Sequence, residues 1–116
     1  AEDGDKSRFS ALAIANFSTH SPSLFIIVQS GAVPHLVSLV VKTDNDIECR
    51  RYGALALANI TACETFHPPV MEADGPEALF VLSNSCDTVS QYYVGCALAN
   101  LSSNVANHEP IVEMGG

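Results

Sequence analysis

The feature that most constrains this chain is an internal repeat. Three eleven-residue segments superimpose without gaps: RFSALAIANFS (8–18), RYGALALANIT (51–61) and YYVGCALANLS (92–102). Aligned on Asn16, Asn59 and Asn100, they keep alanine one residue before, Ile14, Leu57 or Leu98 two before, and alanine three before. The spacings are 43 and 41 residues. A second motif runs in step with the first, placing Gly31, Gly75 and Gly115 at 15, 16 and 15 residues after the respective asparagine. Two motifs on one period in the low forties imply stacked supersecondary units, none of which can bury its apolar face alone.

Local signals divide each unit into three helices. Ser21-Pro22 reads as a cap followed by proline at the first helical position, and Gly31 ends that short helix. A second helix starts near Pro34 and runs to about Val41. Residues 43–46 (TDND) then offer capping side chains to a long third helix ending near Thr61. The next unit repeats the plan with Pro68-Pro69, the Gly75-Pro76 break, the polar loop SNSC (83–86) and Asp87 as a cap. Gly53 and Gly95, inside the long helices, cost about 1 kcal/mol each in propensity. Close helix–helix approach is the expected compensation.

The period, the A-L-x-N-[LI]-[ST] core and the following G-[AP]-x-x-x-L stretch together resemble the armadillo repeat, rather than HEAT, over nearly the whole chain. The resemblance implies an all-α, right-handed superhelical solenoid with three helices per repeat of about 42 residues. The expected organisation is a partial repeat at 1–19 (last helix only), full repeats at 20–62 and 63–103, and a partial repeat at 104–116 (first helix only). Apolar residues at both ends (Phe9, Leu12 and Ile14; Ile111, Val112 and Met114) point to a fragment of a longer array and to self-association through exposed repeat ends. Among armadillo proteins, the units most resemble vacuolar-adaptor and armadillo-repeats-only arrays.

In that family the third helix lines a concave groove, where an asparagine holds the backbone of an extended partner. The role maps onto Asn16, Asn59 and Asn100, and a carboxamide offers both a donor and an acceptor to a peptide unit. The competing reading is a local hydrogen bond near a helix end. Residues four and eight before each asparagine share its helical stripe: Leu12, Leu55 and Cys96, then Arg8, Arg51 and Tyr92. Importin-α-type relatives carry tryptophan four before the asparagine, and this chain has none. That departure argues against nuclear-import cargo binding. Arg8 and Arg51 would place positive charge on the groove, which suits an acidic or neutral peptide, unless both are simply solvated.

Composition narrows the remaining classes. Apolar residues make up 47% and charged residues 16% of the 116, so the chain is expected to fold. A net charge of −8 disfavours nucleic acid, and no apolar run reaches membrane-spanning length. The first ten residues are polar and acidic and do not read as a secretion signal. Cys49, Cys63, Cys86 and Cys96 include no C-x-x-C, and free thiols in a reducing, cytoplasmic setting are expected. The three N-x-[ST] matches at the repeat asparagines arise from the repeat itself. Asp44-x-Asp46-x-Glu48 lacks the glycine and distal glutamate of a calcium loop. Cys63 and His67, four apart, lack further ligands at metal spacing. No G-x-S-x-G, phosphate loop or H-E-x-x-H is present, so the sequence alone points to no catalytic, cofactor or metal residue and to no enzyme. The expected function is a protein-interaction scaffold, cytoplasmic and tied to membrane or cytoskeleton only through other regions. The alternatives are an import adaptor and a substrate-recruiting array of a larger enzyme such as a ubiquitin ligase.

Overall fold

The computed structural model describes residues 21–42, 47–84 and 87–107, and all regular structure among them is helical. Helix α1 spans Ser21–Gln29 and α2 spans Ala32–Lys42. Between them Gly31 takes φ +82°, the left-handed conformation that glycine adopts without strain. Ser30 N donates to Ile26 O (2.9 Å) and Gly31 N to Val28 O (3.3 Å), which satisfies carbonyls at the end of α1. Helix α2 starts at Ala32, two residues before Pro34; proline is tolerated there because first-turn N–H groups have no intrahelical partner.

Helix α3 covers Ile47–Thr61, and a 3-10 turn at Glu64–Phe66 leads into α4, His67–Glu72. Helix α5 spans Gly75–Ser83 and α6 spans Thr88–Ser102, followed by a 3-10 turn at Val105–Asn107. The break between α4 and α5 corrects the motif alignment. The left-handed residue is Asp74 (φ 62°), which stands 15 residues after Asn59 as Gly31 stands 15 after Asn16. Gly75 is required for a different reason: a Cβ there would lie 2.8 Å from Val70 O and overlap the Val70 side chain.

The core joins the units. Leu36 and Val40 of α2, Leu57 and Ile60 of α3, Leu79 and Leu82 of α5 and Leu101 of α6 are all buried in one apolar cluster. Helices holding the same place in successive units are neighbours: α2 lies against α5, and α3 packs against α6 more extensively than any other two elements. Ala54, Ala56 and Ala58 of α3 and Ala97 of α6 are all buried, small side chains that let neighbouring helices lie close.

The two mid-helix glycines differ. A Cβ on Gly53 would overlap Val40 Cγ1, so α2 and α3 do approach too closely for any side chain. Gly95 is exposed with nothing within 4 Å of such a Cβ, which corrects the expectation of a tight contact there. Gly95→Ala should therefore raise stability by about 0.5–1 kcal/mol through helix propensity. Gly53→Ala should lower it by roughly 1 kcal/mol, overpacking outweighing the same propensity gain. Urea unfolding of both variants checks this; equal shifts of one sign would contradict the assignment.

No single described helix is long and apolar enough to cross a membrane. Of the cysteines, Cys49 is buried, Cys96 half-buried and Cys63 exposed, all as free thiols; Cys86 lies outside the described residues.

Candidate functional site

The packing of α3 against α6 places repeat-equivalent residues on neighbouring helices. Arg51, Leu55 and Asn59 form a stripe on α3, and Tyr92, Cys96 and Asn100 form the corresponding stripe on α6. Leu55, Cys96, Asn59 and Asn100 are half-buried, while Arg51 and Tyr92 are exposed. Tyr92, 68% exposed, meets Tyr93 edge to face with ring centres 5.4 Å apart. The first unit's contributions, Arg8, Leu12 and Asn16, lie outside the described residues.

Asn100 does not present a free carboxamide. Its Nδ2 donates to Ala58 O (3.2 Å) and to Thr61 Oγ1 (3.3 Å), both on α3. Ala58 O can only accept, which places the amide nitrogen on that side. Thr61 Oγ1 in turn donates to Leu57 O at 2.7 Å. The expected two-handed grip on a peptide is thus reduced at this position, since the donor half ties successive units together. Oδ1 remains: among the described residues nothing donates to it. Asn59 is engaged in an interaction of its own.

Arg51 also differs from its expected role. Its Nε lies 3.0 Å from Asp87 Oδ2 and its Nη2 3.0 Å from Oδ1, a two-pronged pair that brings the start of α6 onto α3. Asp87 caps α6 at the same time, accepting from Val89 N (3.3 Å), Ser90 N (3.3 Å) and Ser90 Oγ (2.6 Å). Hydrogen bonds from Arg51 and then Ser90 hold the Asp87 carboxyl well below the usual carboxylate range. The same hydrogen bond to Asp87 raises the Arg51 guanidinium. The positive charge expected on the face is therefore matched from within the chain, and the electrostatic case for an acidic ligand goes with it.

Where α3 and α6 end, a cleft of about 270 Å³ opens between Thr61, Ala62, Glu64, His67, Asn100 and Ser103. Its floor is a network that motif reading missed. His67, only 2% exposed, faces Thr61 O with Nε2 at 2.7 Å. Its Nδ1 lies 3.2 Å from Asn104 Nδ2 and 3.1 Å from Asn107 Nδ2, and Asn107 Nδ2 also donates to Leu101 O at 2.9 Å. A carbonyl can only accept, so Nε2 carries the hydrogen and Nδ1 accepts from the two amides. Both ring nitrogens are thereby occupied, and among the described residues no cluster of histidine, cysteine and carboxylate side chains could hold a metal. The signal was present in the repeat: His67 and His108 each stand eight residues after their asparagine.

No family model matches the sequence. The chain is 29% identical over 111 residues to a Caenorhabditis elegans protein named NAD(+) hydrolase tir-1, the match taking in 93% of this chain. It spans 11% of that relative's length. It also resembles the crystal structure of an engineered protein at a TM-score of 0.83 and 29% identity, covering 99% of this chain and 47% of that one. The nematode relative overturns the expectation that enzymes can be set aside, because it is itself named as an enzyme. The physical reason is simple: catalytic motifs missing from these residues say nothing of the rest of such a protein, and most of the relative's length lies outside the match.

Proposed function

We propose that this chain is a run of armadillo-type solenoid units that binds an extended segment of a partner protein along α3 and α6. We further propose that it does so within a protein which, like the nematode relative, hydrolyses NAD(+). The observation that carries the first part is the neighbouring of equivalent helices, α2 with α5 and α3 with α6, with Arg51, Leu55 and Asn59 beside Tyr92, Cys96 and Asn100. A stack of that kind repeats the same side chains at the spacing of packed helices, roughly 8–10 Å, which an extended chain crosses in about three residues. The apolar contacts come from Leu55, Cys96 and the Tyr92 ring, and Asn100 Oδ1 accepts a backbone N–H. The hydrolase part rests on the sequence match to the nematode protein.

The decisive variant is Tyr92→Ala, because an exposed side chain can be removed with little cost to folding. Peptides selected on the wild-type chain by display should bind Tyr92→Ala about tenfold more weakly or worse, at unchanged thermal midpoint. Retained affinity in Tyr92→Ala and in Leu55→Asp alike would reject the face. For the hydrolase part, the full-length parent protein should release nicotinamide from NAD(+); no turnover under conditions in which it is folded would remove that assignment.

A further inference from the structure

A second cleft, of about 330 Å³, lies where the α1–α2 turn of one unit meets α4 of the next. None of the residues proposed to bind along α3 and α6 lines it. Val28 of α1, Gly31 of the turn, and Val33 and Pro34 of α2 form one side. Pro69 and Glu72 of α4, with Ala73 just after it, form the other. Local backbone requirements put these residues there. Gly31 holds the left-handed turn, and nothing lies within 4 Å of where a Cβ on it would stand, so the space above it is open. Each proline is the third residue of its helix, where an N–H would have no intrahelical partner. The lining is apolar but for one carboxylate, and no side chain in it can donate a hydrogen bond. Glu72 is exposed, and among the described residues it has no hydrogen bond or ion pair. Asp74 and Glu77, both exposed, follow in the next turn. Partial desolvation and then the neighbouring Asp74 carboxylate push the Glu77 carboxyl above its ordinary value; the second cause reports like charge at close range.

We propose that this cleft docks an aliphatic side chain of a partner segment that carries a lysine or arginine two residues away, with the alkyl group between the valines and prolines and the cation on Glu72. The site is separate from the face along α3 and α6 and adds a second place of contact. The walls decide the first half of the chemistry. Val28, Val33, Pro34, Pro69 and Ala73 offer no side-chain hydrogen bond, so a sugar or a nucleobase would give up water there without replacement. An alkyl group loses nothing and gains by leaving water. Glu72 decides the second half. A carboxylate or phosphate would oppose it, a metal ion seeks about six oxygen ligands and finds one side chain, and a cation pairs with it. Asp74, Glu77 and a net charge of −8 favour the approach of the same sign. The occupant is a segment rather than a small molecule because the rim is open: Gly31, Pro34 and Glu72 are exposed, so a peptide backbone can stay outside while one side chain enters. In an extended chain residues two apart lie on the same side, which brings the alkyl group and the cation to the cleft together.

The test titrates the isotope-labelled chain with three capped tripeptides: acetyl-Leu-Gly-Lys amide, acetyl-Leu-Gly-Glu amide and acetyl-Gly-Gly-Lys amide. At millimolar concentration the first should shift the amide resonances of Val28, Gly31, Val33, Glu72 and Ala73. The second should bind about three- to tenfold more weakly, through loss of the ion pair. The third should bind about tenfold more weakly or worse, through loss of the alkyl group. Glu72→Lys should reverse the order of the first two probes. Glu72 is exposed, so this variant should keep the wild-type helical signal. Tyr92→Ala should leave every one of these titrations unchanged, which separates this cleft from the face along α3 and α6. No shift at the cleft residues, equal binding of the glycine probe, or the same order of probes in Glu72→Lys would overturn the assignment. Isopentylamine acting as strongly as the leucine–lysine probe would overturn it in favour of a free amine. Loss of the shifts in Tyr92→Ala would overturn it by placing the probe on α6 instead.

Discussion

Replacing His67 with alanine should cost the chain about 3 kcal/mol, the largest loss expected from any polar substitution in the structure. The ring fills a buried position and closes three hydrogen bonds that join the end of α3, the start of α4 and the turn after α6. Truncation leaves a cavity and removes the partner of Thr61 O, while the Asn104 and Asn107 amides lose their shared acceptor. Asn107 is 5% exposed, so water cannot readily replace that acceptor. His67→Gln should recover part of the loss, because its carboxamide can donate toward Thr61 O and accept from an amide. Urea denaturation of the three proteins checks the order wild type, glutamine, alanine. A loss below about 1 kcal/mol for His67→Ala would mean that the network contributes little.

Asp87→Ala should cost about 2 kcal/mol, because one carboxylate both caps α6 and ties it to α3. Asp87→Asn keeps an acceptor for the cap but loses the charge that pairs with Arg51, and should fall between alanine and wild type. The pH dependence follows in sign. The folded-state carboxyl is held below its ordinary value of 3.8, so its stabilisation is fully present above that value. It is lost as pH falls below 3.8 toward the lower folded value. Between about pH 6 and pH 3, the wild-type urea midpoint should therefore drop further than that of Asp87→Asn. Parallel drops would show that other carboxylates carry the acid sensitivity.

Several of these features were legible in the sequence and others were not, for reasons that can be stated residue by residue. Gly31 read correctly as the end of a helix because its requirement is local: a left-handed φ that few side chains tolerate. Asp87 read correctly as a cap because a cap bonds to N–H groups two and three residues away. Its second role was invisible, since Arg51 lies 36 residues earlier and only packing brings the two together. Gly75 was matched to Gly31 by motif, although the left-handed position belongs to Asp74. Alignment counts residues and does not report φ. Gly53 and Gly95 looked alike in sequence, and only the presence of Val40 over one and of open space over the other separates them.

The stripe of candidate binding residues shows the same division. Spacing by four placed Arg51, Leu55 and Asn59 on one helix face and Tyr92, Cys96 and Asn100 on another, which helical geometry alone dictates. Whether an asparagine there faces a ligand or the neighbouring helix is not a property of spacing. Asn100 turns its donor to Ala58 and Thr61, 42 and 39 residues away, and keeps only its oxygen outward.

The sequence by itself determined that the chain is helical, where some of the described helices are capped or end, as at Gly31 and Asp87, and which residues recur at equivalent places. Those properties follow from backbone preferences and apolar periodicity, both of which act within a few turns of helix. Only the tertiary structure decided which recurring groups remain available. Arg51 is paired with Asp87, Asn100 is half engaged, and His67 closes a buried network beside the cleft at the ends of α3 and α6. The physical reason is that hydrogen bonds and ion pairs between units depend on the register of one helix against another, and that register is set by core packing rather than by any local run of residues.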